Sequence, residues 1–259
     1  MSELSDYGSK GLVGVLTPQA NTTVEPEMWA LLQPGWSLVN ARLTSDKGTI
    51  AERLVDYTTR FASTSDRFAN APVDVVAAAC TGASYLIGLE RELQLTDAVE
   101  ARRNVPFLTA ALASVAMLRA MDARKVALLT PYPESLNQHC IPYWQDHGFD
   151  VVTHLGPAPR DKTFHPIYSM AGDAVLESYR KLSASGADAI LMLGTGMATL
   201  RPLLIGQQEN LPPAISCNLA LSWAASQKRN WQDLGEGNLN AWLDTGIWAE
   251  RAAAVFGWD

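Results

Sequence analysis

Basic residues are never concentrated in this 259-residue chain: 20 Lys and Arg are scattered among 27 Asp and Glu, for a net charge of −7. A nucleic-acid partner needs a basic surface and is excluded on that ground. Apolar runs are only strand length, far short of the roughly 20 residues of a membrane helix. The first residues, Met1 to Tyr7, are polar and acidic, with nothing of a signal peptide. Cysteine is scarce: Cys80, Cys140 and Cys217 are odd in number and form no CxxC, which argues against a disulfide framework. The expectation is a reduced, cytoplasmic protein. Four histidines (His139, His147, His154, His165) all fall in the second half without HExxH or paired ligand spacing, so no metal site is expected. GxGxxG after the first strand, GxxxxGK[ST] and GxSxG are all missing, which removes nucleotide cofactors and the serine-hydrolase elbow. No cofactor is expected at all.

What is present is a stretch that occurs twice. Val73-Asp-Val-Val-Ala-Ala-Ala-Cys80-Thr-Gly returns as Ala187-Asp-Ala-Ile-Leu-Met-Leu-Gly194-Thr-Gly, at an offset of 114 residues. Gly14-Val-Leu-Thr-Pro18 returns as Ala127-Leu-Leu-Thr-Pro131, and Gly35-Trp-Ser-Leu-Val39 as Gly148-Phe-Asp-Val-Val152, both offset by 113. Three matches in register mark an internal duplication. The copies differ at one chemically important place: Cys80 in the first is Gly194 in the second.

Short apolar runs predict buried strands at 12–18, 36–43, 73–79, 106–109, 125–130, 150–155, 187–193 and 213–216. Between them, apolar residues at helical spacing predict helices, including one over 50–68, others at 81–93 and 96–102, and one over 167–184. Alternating strands and helices imply right-handed crossovers and parallel sheets covered on both faces. The expected fold is α/β: two pseudo-symmetric lobes, each a parallel sheet flanked by helices, with the active site in the cleft between them. With 47% apolar residues the chain can fill such cores. The first lobe is expected from residues 1–112 and 212–259, and the second from 113–211, the last strand and helix returning to complete the first.

Ligands in such sheets sit beyond the carboxyl ends of the strands, so 18–23, 80–84, 131–135, 194–197 and 217–218 should converge. Cys80 lies where a strand gives way to a helix. Unpaired N–H groups and the helix dipole there favour a thiolate, although a free cysteine can equally be a small buried hydrophobe. Thr81 and Gly82 add donors suited to an anion. Asn21, Thr22 and Thr23 suit a small carboxylate or a plain helix cap. Tyr132 can donate to an oxyanion or simply pack. Gly194, Thr195 and Gly196 offer room and backbone donors opposite Cys80, or a tight turn. Asn218 and Cys217 end the last strand, Cys217 as a structural residue. Leu86, Met197 and Leu219 are candidates to shape a substrate pocket.

These pieces resemble the aspartate/glutamate racemase superfamily. Within it the likeness is greatest to maleate cis-trans isomerases and arylmalonate decarboxylases. It rests on Leu16-Thr-Pro-Gln-Ala-Asn-Thr-Thr-Val-Glu-Pro-Glu27, Ala79-Cys-Thr-Gly-Ala-Ser84, Leu129-Thr-Pro-Tyr132 and Ser216-Cys-Asn-Leu-Ala-Leu-Ser-Trp223, and spans nearly the whole chain. The resemblance implies a strand-end cysteine in each lobe flanking the substrate carbon, with Cys80 in the first position and Asn21 and Tyr132 holding carboxylates. Gly194 occupies the second cysteine position, a departure from racemases and maleate isomerases. Arylmalonate decarboxylases keep the opposite cysteine, so the chain looks like their mirror image.

Two-base racemisation needs a group on each face of the carbon, which Gly194 does not supply. One thiolate can still add to a double bond, permit rotation and leave; one thiol can also protonate an enediolate after loss of carbon dioxide. Isomerisation of a maleate-like cis-enedioate is the first expectation, decarboxylation of a substituted malonate the second, and a non-catalytic carboxylate-binding protein the third. The Ala- and Trp-rich segment near Trp242–Trp248 suits a contact between subunits.

Overall fold

The computed structural model describes residues 6–157 and 166–258; His165 lies outside them. Among the described residues, eight strands form two four-stranded parallel sheets. The first contains β1 (Gly11–Pro18), β2 (Trp36–Leu43), β3 (Val75–Ala78) and β4 (Phe107–Thr109), in the order β2-β1-β3-β4. The second contains β5 (Lys125–Leu129), β6 (Asp150–Leu155), β7 (Ala189–Met192) and β8 (Ala214–Ser216), in the order β6-β5-β7-β8. The two orders are the same. The unbroken apolar runs occupy central positions, where both faces are covered, while β2 and β6 lie at edges and carry more polar residues.

The duplicated aspartates have one job in both lobes. Asp74 Oδ2 accepts from the Leu12 N–H at 2.7 Å, and Asp188 Oδ2 accepts from the Arg124 and Lys125 N–H groups at 2.9 and 2.8 Å. Each carboxylate thus fixes the start of the neighbouring central strand, which sets the register of that pair. The repeat also runs further than its motifs indicated. Thr109 caps the helix after β4 by accepting from Leu112 N, and Ser216 caps the helix after β8 by accepting from Leu219 N.

This corrects one expectation. The last strand does not return to the first sheet: β8 pairs with β7, from Ile190↔Ala214 to Met192↔Ser216. It is the second repeat's counterpart of β4. Only the helices cross. The helix after β8, α9 (Cys217–Ala225 when helices are numbered in chain order), packs on its counterpart α5 (Ala110–Ala120) and on α1 (Val24–Leu31). The terminal helix α11 (Ala249–Phe256) also packs on α1.

The helix expected over 50–68 is broken into α2 (Ile50–Thr59), α3 (Phe61–Ser65) and a 3-10 turn. The two helices expected at 81–93 and 96–102 are one element, α4 (Thr81–Arg103), broken at Gly88 by a φ of 73°. α6 covers Glu134–Asp146. The helix expected over 167–184 is α7 (Gly172–Leu182), preceded by a 3-10 turn at Pro166–Ser169, because Ala171 is extended. α8 (Leu200–Gln208) follows β7 after a loop, and the short α10 covers Leu239–Leu243. Trp242 and Trp248 are buried in the chain's own core, so they do not present the surface expected for a subunit contact. No helix among the described residues is long and apolar enough to cross a membrane.

Candidate active site

The carboxyl ends of the strands of both sheets face one cleft of about 800 Å³. The first lobe contributes Pro18 and Asn21 from the end of β1, Cys80, Thr81 and Gly82 from the β3–α4 junction, and Ile50, Leu54 and Tyr57 from α2. The second lobe contributes Tyr132 after β5, Gly194, Thr195 and Gly196 after β7, and Ile167 and Tyr168 from the 3-10 turn. No Lys or Arg lines it among the described residues; Glu134, His139 and His154 lie along its α6 and β6 side.

Cys80 is the N-cap of α4, with ordinary extended backbone (φ −150°, ψ 97°). Its thiol is buried and makes no cap hydrogen bond to the helix start. Burial pushes the thiol up to about 12, outweighing the nearby Ala83 N–H, which favours a thiolate. Burial thus opposes the thiolate that a helix start favours. Sequence shows the helix start; it does not show the depth.

Opposite, Gly194 has φ +83°, a region that disfavours any side chain. A Cβ there would lie 2.7 Å from Ile167 Cδ1, 2.9 Å from Pro131 Cγ and 3.3 Å from the Tyr132 hydroxyl. The place of a second-lobe cysteine is filled by neighbours, so the one thiol lining the cleft among the described residues is that of Cys80.

The turn containing Gly194 is tied to the first lobe on every side. Thr195 Oγ1 donates to the Ala79 carbonyl at 2.7 Å, beside Cys80, and accepts from Asn21 Nδ2 at 3.1 Å. Thr23 Oγ1 donates to the Gly196 carbonyl at 2.9 Å. Asn21 Oδ1 accepts from the Thr23 and Val24 N–H groups, so Asn21 caps α1 and bridges the lobes at once. Tyr132 and Thr81 hydroxyls share a 2.8 Å hydrogen bond across the cleft.

Most residues singled out from sequence meet here: Asn21, Cys80, Thr81, Gly82, Tyr132, Gly194, Thr195, Gly196 and Leu86. Thr22 is exposed and outside the lining. Asn218 is buried behind the wall, where Nδ2 donates to Glu27 Oε2 and the Thr195 carbonyl. Cys217 is also behind it, its Sγ donating to the Met192 carbonyl, in keeping with a structural role. Met197 and Leu219 are core residues. Sequence reasoning missed Tyr57 and Tyr168, which line the cleft, and Glu27, the buried carboxylate behind it. Glu27 sits in a Glu-Pro-Glu run that reads as an exposed first helical turn; nothing local marks it as buried.

The family model of arylmalonate decarboxylase matches residues 13–239. The chain belongs to the arylmalonate decarboxylase family. Curated relatives are maleate isomerases: that of Pseudomonas putida is 30% identical over a match covering 54% of this chain and 60% of that one. That of Nocardia farcinica is 28% identical, covering 70% and 74%. A cysteine-to-serine variant of the Nocardia farcinica maleate cis-trans isomerase, with a covalently bound succinylcysteine intermediate, superposes with a TM-score of 0.73 at 25% identity, covering 84% of this chain and 92% of that one. A double variant of arylmalonate decarboxylase, Gly to Cys and Cys to Ser, superposes with a TM-score of 0.70 at 20% identity, covering 84% and 91%. This family member thus shares its two-lobed fold with both kinds of enzyme.

Proposed function

We propose that this chain is a cofactor-independent isomerase of a small cis-unsaturated dicarboxylate, with Cys80 as nucleophile. The observation that carries the reading is a lone thiol at a helix N-terminus in the inter-lobe cleft, faced by the sealed Gly194 turn. The maleate isomerase relatives support it. So does the succinylcysteine adduct in a variant that has lost a cysteine, because it shows sulfur addition surviving that loss in that enzyme.

In this reading the substrate carboxylates take donors from Asn21, Tyr132 and the backbone. The Cys80 sulfur adds to one olefinic carbon as its proton passes to a carboxylate of the substrate. The π electrons move into the adjacent carboxylate, where N–H groups of Thr81–Gly82 and Thr195–Gly196 hold the enediolate. Rotation about the new single bond follows. The electrons then return, the C–S bond breaks, the sulfur takes its proton back, and the trans isomer leaves with the thiol restored.

A second reading is supported by two features of the cleft, its neutral thiol and its apolar wall of Ile50, Leu54, Leu86 and Leu136. A malonate with an apolar substituent would lose carbon dioxide as its C–C bond breaks. The resulting enediolate would take the Cys80 proton, which water then replaces. Proton NMR in deuterated buffer separates the readings, with wild type and Cys80→Ala each given maleate or phenylmalonate. Fumarate formed by wild type alone supports isomerisation; a deuterated arylacetate supports decarboxylation. Maleate binding to both proteins without turnover would overturn both in favour of a carboxylate-binding protein.

A further inference from the structure

Behind the Gly194 turn lies a buried carboxylate that the mechanism above does not use. Glu27, on α1 of the first lobe, is 4% exposed. Oε1 accepts from the Thr199 N–H at 2.8 Å, and Oε2 accepts from Asn218 Nδ2 at 2.8 Å; the Thr199 hydroxyl adds contacts at 3.4 and 3.3 Å. The same Asn218 Nδ2 donates to the Thr195 carbonyl at 3.0 Å. Two acceptors on one nitrogen fix the orientation of this amide, and they leave Asn218 Oδ1 buried without a hydrogen-bond partner. An orphaned buried oxygen is costly, and it is retained here while the nitrogen serves the wall of the cleft.

We propose that Glu27 is a positioning residue: its carboxylate orients Asn218, and Asn218 holds the Thr195–Gly196 turn in the place where it faces Cys80. The hold depends on charge. An ionised Glu27 only accepts hydrogen bonds, so it selects the nitrogen of Asn218. A protonated Glu27 has an O–H to donate, and the unpaired Asn218 Oδ1 is the acceptor one amide rotation away. That rotation withdraws Nδ2 from the Thr195 carbonyl and removes one of the turn's ties, leaving those from Ala79, Asn21 and Thr23. Burial raises Glu27 to about 7, which puts the change near neutral pH.

Charged groups on the surrounding elements are engaged elsewhere. Arg42 of β2 pairs with Glu25, Arg251 of α11 donates to the Ala30 and Leu31 carbonyls, and Arg201 of α8 is exposed. On α9 the titratable neighbour is Cys217, raised by burial to about 11 and hence neutral in this range. The inference concerns the wall opposite Cys80 and rests on the proposed reading only for its catalytic meaning.

The test is an NMR titration of wild type, Glu27→Gln and Asn218→Ala, following glutamate side-chain ¹³C carboxyl signals and the Thr195 and Gly196 amides from pH 5 to 9. In wild type, one carboxyl and both amides should titrate together near neutral pH. Glu27→Gln should lose that carboxyl signal and hold both amides at their low-pH positions at pH 8. Asn218→Ala should keep the carboxyl titration and uncouple the amides, and it carries the test alone if Glu27→Gln does not fold. Amides that ignore the Glu27 titration in wild type, or that still follow it in Asn218→Ala, overturn the proposal. Turnover is not read, so a failure of the Cys80 reading shows separately, as activity that survives Cys80→Ala.

Discussion

The two lobes share strand order, aspartate clamp and helix caps, yet they meet the cleft differently. In the first, β3 runs straight into α4, so a thiol and a fresh helix N-terminus arrive together. In the second, a loop separates β7 from α8 and opens on a glycine at positive φ, with Ile167, Pro131 and Tyr132 filling the space a side chain would need. The repeated parts are those that build sheets; the divergent parts are those that face substrate. One lobe supplies a reactive atom, and the other supplies a fixed wall.

Breaking the asymmetry from the reactive side should have the largest effect. Cys80→Ala is expected to lower turnover by roughly a hundred- to ten-thousand-fold with little change in melting temperature, measured by NMR assay and thermal unfolding. Next come the ties between the lobes. Buried Glu92 on α4 accepts from Ser84, Thr109 and, from the second lobe, Tyr143. Glu92→Ala strands three hydroxyls and should cost about 3 kcal/mol or more in urea unfolding.

From the wall side, Gly194→Ala meets both a positive φ and a filled space. It should cost about 1–3 kcal/mol, whereas the mirror change Cys80→Gly should cost under about 1 kcal/mol, because Cys80 is ordinary extended backbone. Equal losses would mean that the turn is not under the constraint described.

Two smaller effects are readable in pH. Backbone N–H groups of Lys125 and Arg124 hold Asp188 below its usual range. Its contribution is therefore present above about pH 4 and lost as pH falls through its folded value. Asp188→Ala should flatten the acid limb of the melting curve. Glu27 has the opposite sign. Raised from 4.5 to about 7, it contributes most below its unfolded value, and that contribution is lost as pH rises through about 7. Wild type should therefore gain stability over Glu27→Gln as pH is lowered from 8 to 6.

Much of the fold was legible because duplication multiplies weak signals. The repeated Asp, Thr-Pro, Thr-Gly and Gly-aromatic landmarks located six of the eight described strands by pairs. The fourth pair, β4 and β8, escaped because its spacing differs from the others and its shared signal is a single capping hydroxyl, Thr109 or Ser216. That is why β8 was expected in the wrong sheet. At the site, residues on strand ends were legible, since topology alone brings Cys80, Tyr132 and Thr195 together. Depth was not. Local sequence cannot show that Cys80 is desolvated enough to stay protonated, or that Glu27 points inward, because both depend on helices arriving from the other half.

The crossing of α9 onto α5 has a consequence for symmetry. These counterpart helices meet face to face, as identical surfaces do at the two-fold axis of a dimer. Were each repeat a separate chain, the residues at positions 80 and 194 would have to be the same, and every cleft would carry two thiols or none. Joining the repeats in one polypeptide removes that constraint. A binding site built on a two-fold axis can then become handed, offering a carbon atom sulfur from one side only.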